Sequence, residues 1–286
     1  MQELLKIAVQ KSGRLYDGSM KLLKECGIEI SNGNSQLRVV ASNFPIEVFF
    51  LRDDDIPEYV QDAVADIGFV GENVFYESNK QVNTIEKLGF GKCRLSIAVP
   101  KNGTLQVVND LNNKKIATSY PSILANYLKQ KKITASIHEI SGSVEIAPKI
   151  GLADAICDLV SSGSTLFTNE LKEIETILLS EAVLISNQQL SAEKKNILEK
   201  LLFRIRSVKK AGNNKYVLLN APNDKLEIIC NLLPGMKSPT ILPLAESGWS
   251  SVHSVINEAD FWNVIEQLKG AGAQGILIIP IEKMIG

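Results

Sequence analysis

The feature that most restricts how this chain can fold occurs four times. A short apolar run leads into a turn of small or polar residues, and a helix-patterned stretch follows. The runs are Lys6 to Val9, Ile67 to Val70, Lys115 to Thr118 and Ala155 to Val160. Strands alternating with helices point to α/β lobes. Two of the units also share a lead-in, Ala65-Asp66 before one and Ala153-Asp154 before the other. The repetition implies two similar lobes, with ligands expected in the cleft between them. Chance likeness among generic strand–turn–helix units would look the same, so each turn has to be read for its own chemistry.

The turn after Ala155 to Val160 is Ser161-Ser162-Gly163-Ser164-Thr165, and an apolar-patterned segment, 166–171, then opens a helix. A small-residue turn between strand and helix gathers unpaired backbone N–H groups at the positive end of the helix dipole, which favours phosphate. Three serines and a threonine add hydroxyls, and Gly163 permits a turn closed to other residues. Such turns also occur in α/β proteins without a ligand. Along the strand, Asp154, Ile156, Asp158 and Val160 share one face. At about 3.3 Å per residue the two aspartates lie ~13 Å apart, so only Asp158 can reach a ligand in the loop. An acid beside a phosphate fits if it serves neighbouring hydroxyls or a cation, as a sugar phosphate with Mg²⁺ provides.

The first strand opens onto Gln10-Lys11-Ser12-Gly13-Arg14, and a helix over Leu15 to Cys26 closes at Gly27. Lys11 and Arg14 bracket Gly13 at a strand's carboxyl edge, where open α/β sheets place ligands. Solvated turn charges would read the same way. Strands over Leu37 to Ala41 and Ile46 to Leu51 precede Arg52-Asp53-Asp54-Asp55-Ile56-Pro57. Capping of a helix over Glu58 to Ala65 accounts for one or two of these acids, and three exceed that need. Ile67 to Val70 ends at Gly71-Glu72-Asn73, where another helix starts. Arg94 to Pro100 crosses to the second lobe, whose helices are Pro121 to Lys131 and Val144 to Ile150 and whose remaining strand is Ser136 to Ile140. Ile174 to Ile185 leads back, and Ser191 caps a long helix that ends in Lys209-Lys210-Ala211-Gly212.

The expected organisation is therefore 1–93 with 181–212 as the first lobe, 94–180 as the second, and 215–286 as a separate domain. In that last stretch Tyr216 to Asn220, Asp224 to Leu233 closed by Pro234-Gly235, a hairpin of Thr240 to Ala245 with Val252 to Ile256, Ala259 to Leu268 and Gly275 to Ile281 follow in the order βαββαβ. That is the order of a ferredoxin-like domain. It gathers no cluster of acids, bases or nucleophiles, which suits regulation or assembly better than catalysis.

Composition excludes several classes. A net charge of −1 invites no nucleic acid. The longest apolar run, Gly275 to Ile281, is broken by Pro280 and too short for a membrane span. The amino terminus shows no basic region followed by an apolar stretch, so a cytoplasmic protein is expected. Cys26, Cys93, Cys157 and Cys230 form no CxxC pair and read as buried, reduced thiols. Two distant histidines, His138 and His253, give poor support to a zinc site or a Ser-His-Asp triad.

The spacing of Glu145, Gly151, Asp158, Gly163, Thr165 and Leu166 resembles the signature of the ATP phosphoribosyltransferases, first enzymes of histidine biosynthesis. Similar stretches run from end to end: Val9 to Leu15, Arg52 to Pro57, Gly71 to Val74, Gly91 to Ser96, Ile116 to Pro121, Ser238 to Thr240 and Pro280 to Met284. The resemblance is to the long form, with two lobes like periplasmic binding proteins and a third domain that binds histidine as feedback inhibitor. It implies transfer of phosphoribosyl from phosphoribosyl pyrophosphate (PRPP) to N1 of ATP, with inversion at C1 and release of pyrophosphate, using Mg²⁺. It further implies that Ser161, Ser162, Gly163, Ser164 and Thr165, with Asp154 and Asp158 on the strand before them, bind PRPP. Lys11, Gly13 and Arg14 face ATP. Lys11, Arg14 and Arg52 balance phosphate charge, with Glu72 at the cleft edge and Asp158 on ribose hydroxyls or metal as further catalytic residues. Asn220, Thr240 and Gly275 are the expected histidine contacts. Dimers assembling into hexamers are also implied, with histidine favouring the hexamer. The residues name no general base for N1, nor the metal ligands. Two other readings share parts of this pattern. A two-lobed solute-binding module would normally carry an export signal, and an amino-acid-binding regulator would leave the phosphate loop without purpose.

Overall fold

The computed structural model describes residues 3–31, 36–233 and 238–285. The chain forms two compact units, Met1–Lys24 with Ile28–Leu198, and Glu25–Gly27 with Glu199–Gly286. In the first unit, lobe I opens with β1 (Leu5–Gln10), α1 (Arg14–Glu25), β2 (Arg38–Val40) and β3 (Ile46–Leu51). It continues through α2 (Ile56–Gln61), β4 (Ile67–Gly71), α3 (Glu72–Ser78) and β5 (Asn83–Lys87). The chain then crosses to lobe II: β6 (Cys93–Pro100), β7 (Lys115–Thr118), α4 (Pro121–Lys131), β8 (Ser136–Glu139), β9 (Ala155–Val160), α5 (Ser164–Thr168) and β10 (Leu171–Ser180). It returns through β11 (Ala182–Ser186) into α6 (Ala192–Gly212).

The repeat seen in the sequence is a repeat of structure. Lobe I is a six-stranded sheet in the order β2-β3-β1-β4-β11-β5, and lobe II a five-stranded sheet in the order β10-β6-β9-β7-β8. In lobe I, β1 lies parallel to β3 and β4, with β11 antiparallel beside β4. In lobe II, β7 lies parallel to β8 and β9, with β6 antiparallel beside β9. The same joint locks both. Asp66 takes the Lys6 backbone N–H on Oδ2 at 2.8 Å and returns its own N–H to the Lys6 carbonyl at 2.9 Å. Asp154 takes the Lys115 N–H at 2.8 Å and donates back to the Lys115 carbonyl at 2.8 Å. A carboxylate that ties down the start of a neighbouring parallel strand explains why an Ala-Asp pair precedes both β4 and β9. Ile7, Val9, Ile67, Phe69, Ile116, Ile156 and Cys157 are fully buried, as strands covered on both faces require.

Several expected boundaries move. The helix expected over Glu58 to Ala65 is a 3₁₀ turn at Asp53–Asp55 followed by α2, which ends early so that Ala63 (φ 57°) can turn the chain toward Asp66. The helix expected over Val144 to Ile150 is a single 3₁₀ turn, Val144–Ile146, since Pro148 has no N–H with which to continue it. The helix expected over 166–171 begins at Ser164 and stops at Thr168, because Leu171 already pairs with Pro100 in the sheet. Strand β5 has no counterpart in the sequence reading. Asn-Thr-Ile-Glu-Lys on a sheet edge carries no apolar alternation to reveal it.

The second unit is built on β12 (Asn214–Pro222), α7 (Leu226–Leu232), β13 (Thr240–Pro243), β14 (Trp249–Asn257), α8 (Phe261–Gly270) and β15 (Gln274–Pro280). Its sheet runs β13-β14-β12-β15 with antiparallel neighbours, the ferredoxin-like order. The expected helix stop at Pro234-Gly235 lies outside the described residues. Val217, Leu219, Val252 and Ile256 pack with Ile229 of α7 and Leu268 of α8, leaving the other sheet face open. The boundary expected after residue 212 instead falls inside α6, between Leu198 and Glu199. Residues from the end of the chain and from the α1 turn hold the second half of that helix. The Met284 N–H donates to the Ser207 carbonyl at 3.0 Å, and Arg204 Nη1 to the Cys26 carbonyl at 3.1 Å. Cys26 and Cys157 are buried as expected, whereas Cys93 and Cys230 are only half-buried. No helix among the described residues is long and apolar enough to cross a membrane.

Candidate functional site

The carboxyl ends of β1, β4 and β9 meet at a cleft of about 520 Å³ between the lobes. Its lobe II wall is the whole turn Ser161 to Thr165, with Asp158 and Glu145 beside it. Gly163 sits in the left-handed region at φ 82°, caps α5, and folds the turn so that Ser162 and Ser164 share a hydroxyl hydrogen bond of 3.0 Å. A helix of five residues has little dipole. What the turn can offer an anion is therefore its own N–H groups and hydroxyls and the cation opposite. That cation is Arg14, the first residue of α1 in lobe I, whose Nη1 donates to Ser161 Oγ across the cleft at 2.9 Å. A second guanidinium supports the loop from behind. Arg94 donates to the Ser161 carbonyl at 3.3 Å and is held by Glu173, with Nε to Oε2 at 2.8 Å.

Asp158 lies part-buried at the foot of this turn. Burial pushes its carboxyl up to about 6; the Leu159 N–H it accepts at 2.8 Å pulls the other way, and the negative charge of Glu145 adds to the rise. Two carboxyls near one another, one of them readily protonated, beside a hydroxyl-rich turn can serve vicinal hydroxyls or share a cation with them.

The other expected residues divide. Asp158, Ser161, Ser162, Gly163, Ser164, Thr165 and Arg14 line the cleft. Lys11, Gly13 and Arg52 do not line it. Lys11 spends its N–H on the Leu51 carbonyl and is exposed, as is Arg52 at the start of the acidic 3₁₀ turn, where Asp53 rather than the arginine reaches the cavity. Glu72 is buried facing away, paired with Lys87 Nζ at 3.0 Å and accepting the Glu181 N–H at 3.2 Å. Asp154 is at the far end of β9, engaged in the strand joint described above. In the second unit, Asn220 and Gly275 adjoin, since a Cβ on Gly275 (φ 56°) would stand 3.3 Å from Asn220 Nδ2. Thr240 lies on the same open face but beyond β14, opposite His253. His253 is held between Tyr216 Oη at 2.7 Å and Ser251 Oγ at 3.0 Å.

Sequence reasoning missed Asn73, Phe90, Lys92 and Cys93, which also line the cleft, and gave Glu145 no role beyond its place in the spacing. Asn73 donates from Nδ2 to Tyr120 Oη of lobe II at 3.1 Å and pairs with Ser180 where the chain returns to lobe I. An amide two residues after Gly71, at a strand end, was the available signal.

A family model described as ATP phosphoribosyltransferase matches residues 52–207, and one described as the C-terminal domain of HisG matches 211–283. The chain is 60% identical over 285 residues to an ATP phosphoribosyltransferase of Cytophaga hutchinsonii, covering 100% of both chains. It belongs to the ATP phosphoribosyltransferase family. It is thus a transferase, and the match at 52–207 takes in parts of both lobes. Among solved structures, the ATP phosphoribosyl transferase (HisG:HisZ) complex from Thermotoga maritima superposes with a TM-score of 0.61 at 30% identity, over 71% of this chain and 99% of that one. A histidine kinase sensor domain with similarity to periplasmic binding proteins superposes with a TM-score of 0.51 at 10% identity over 74% of this chain and 92% of its own, a likeness of fold alone.

Proposed function

We propose that this chain joins C1 of PRPP to N1 of ATP and releases pyrophosphate, opening histidine biosynthesis, and that L-histidine restrains it through residues 215–286. The observation that carries the reading is the cleft's polarity: a left-handed serine turn faced by Arg14, with the Asp158–Glu145 pair below it. The 5-phosphate takes the turn Ser161 to Thr165 and the Arg14 guanidinium. Asp158 and Glu145 take the ribose hydroxyls. A transfer of this kind needs two polyanions held in line and a leaving group neutralised, more than it needs covalent help from the protein.

Among the described residues no group of three or more His, Cys, Asp or Glu could hold a metal unaided. Mg²⁺ usually uses one or two carboxylates plus substrate phosphates, so the Asp158–Glu145 pair fits an ion that arrives with pyrophosphate. When bound, Mg²⁺ would neutralise that leaving group. Asn73, Phe90 and Lys92 are among the side chains of the remaining wall that would meet the nucleotide.

The test is pyrophosphate release from ATP and PRPP with Mg²⁺, with and without L-histidine. Release that requires both substrates and falls with histidine is expected. Release insensitive to histidine would remove the role given to residues 215–286, and no release from folded protein would remove the transfer itself.

A further inference from the structure

The two lobes touch at a second place, away from the phosphate turn, and the chemistry there is oddly sited. Glu77 lies one residue before the end of α3, where a carboxylate opposes the helix dipole and a cation would be favoured. Its carboxylate instead reaches into lobe II. Oε1 accepts the Ser122 N–H at 2.8 Å and Oε2 the Ile123 N–H at 3.0 Å, the two donors just inside α4. The N-cap residue of α4, Tyr120, makes no side-chain capping bond of its own. Asn73, one helical turn before Glu77 on the same face, reaches the Tyr120 hydroxyl. α3 leaves β4 of lobe I and α4 leaves β7 of lobe II, so this charged, two-point cap is a strut between the lobes, beside the Asn73–Tyr120 bond and apart from the Arg14–Ser161 bond across the cleft.

We propose that Glu77 is a positioning residue that latches the lobes, setting the fraction of molecules in which Arg14 already meets Ser161. Binding to a cleft that must first close is weakened by the closed fraction, equally for every ligand that needs closure. Loss of the latch therefore raises the dissociation constant of each substrate from the free enzyme by one common factor, while KM at saturating co-substrate, which has already closed the cleft, and kcat stay within about twofold. A helix cap lost with its charge corresponds to about tenfold in Glu77→Ala. Glu77→Gln keeps one acceptor oxygen, and about threefold is expected.

Kinetics and amide hydrogen exchange of the full-length protein test this together. The kinetic arm rests on the transfer proposed above; the exchange arm does not. In free Glu77→Ala, the Ser122 and Ile123 amides should exchange faster, and so should the Ser161 to Thr165 turn, because opening parts it from Arg14. Faster exchange confined to Ser122 and Ile123, with both free-enzyme dissociation constants unchanged and only a lower Tm, would reduce Glu77 to a cap and overturn the latch. Weaker binding of one substrate alone to the free enzyme, or a change in kcat alone, would also overturn it. Absence of turnover in the wild-type chain would sink the transfer, and the exchange pattern would still decide the latch.

Discussion

Gly163 and Asp158 carry opposite kinds of strain, one conformational and one electrostatic. Gly163 holds φ 82°, which a β-branched residue adopts only at a cost of about 1–2 kcal/mol. Gly163→Val should abolish PRPP binding measured by calorimetry while circular dichroism shows the fold retained. At Asp158 the sign follows from its carboxyl being pushed by burial from the ordinary 3.8 up to about 6. Between these values the folded state holds a proton that the unfolded state has released, so this group's contribution to stability is fully present below pH 3.8 and is lost as pH rises through about 6. Asp158→Asn should therefore raise stability at pH 7.5 by about 1–3 kcal/mol in denaturant melts, while lowering kcat/KM for PRPP at least a hundredfold. If ligand hydroxyls or Mg²⁺ use the carboxylate form, PRPP affinity should drop about tenfold per pH unit below 6, seen as proton release on binding in two buffers of different ionisation heat. The serine turn was legible because several hydroxyls and a glycine at one strand end announce their chemistry locally. Arg14 was half legible: its place after a strand was visible, but the reach to Ser161 spans 147 positions and depends on lobe packing.

At the scale of elements, the two aspartate joints make a matched pair with unequal burial. Asp66 is buried and also paired with Lys194 Nζ at 2.8 Å, whereas Asp154 is exposed. Asp66→Ala should cost about 3 kcal/mol or more in urea unfolding, since it strands Lys194 and a strand N–H together. Asp154→Ala should cost about 1 kcal/mol and leave KM for PRPP unchanged; a large rise in that KM would return Asp154 to the binding site. The central strands were plain in the sequence because a strand covered on both faces is apolar throughout, as Ile67 to Val70 is. Edge strand β5 and the short helices were not, since their extent is fixed by what they pair with: Leu171 joins β10 however helical 166–171 looks. Glu72 misled for the same reason. A carboxylate at a strand end reads alike whether it faces the cleft or Lys87.

For the whole molecule, the prediction concerns residues 215–286. Gly275 holds φ 56° against Asn220, so Gly275→Val would displace that amide as well as strain the turn. The variant should lose inhibition by L-histidine and keep kcat within twofold, as rate measurements over a histidine titration would show. The order β13-β14-β12-β15 could be foreseen because every strand and helix of that unit carries its own pattern. The unit boundary inside α6 could not, because a continuous amphipathic helix gives no sign of where its neighbours change. The repeated aspartate joint has one more consequence. β4 and β9 are equivalent strands begun in the same way, yet they finish in different turns: Gly71-Glu72-Asn73 with one amide toward the cavity, and Ser161 to Thr165 with a row of hydroxyls. Two identical halves would have made a cleft that reads the same from either end. Divergence at one end of the repeat gives it a head and a tail, so a molecule carrying phosphate at one extremity has a single direction of entry.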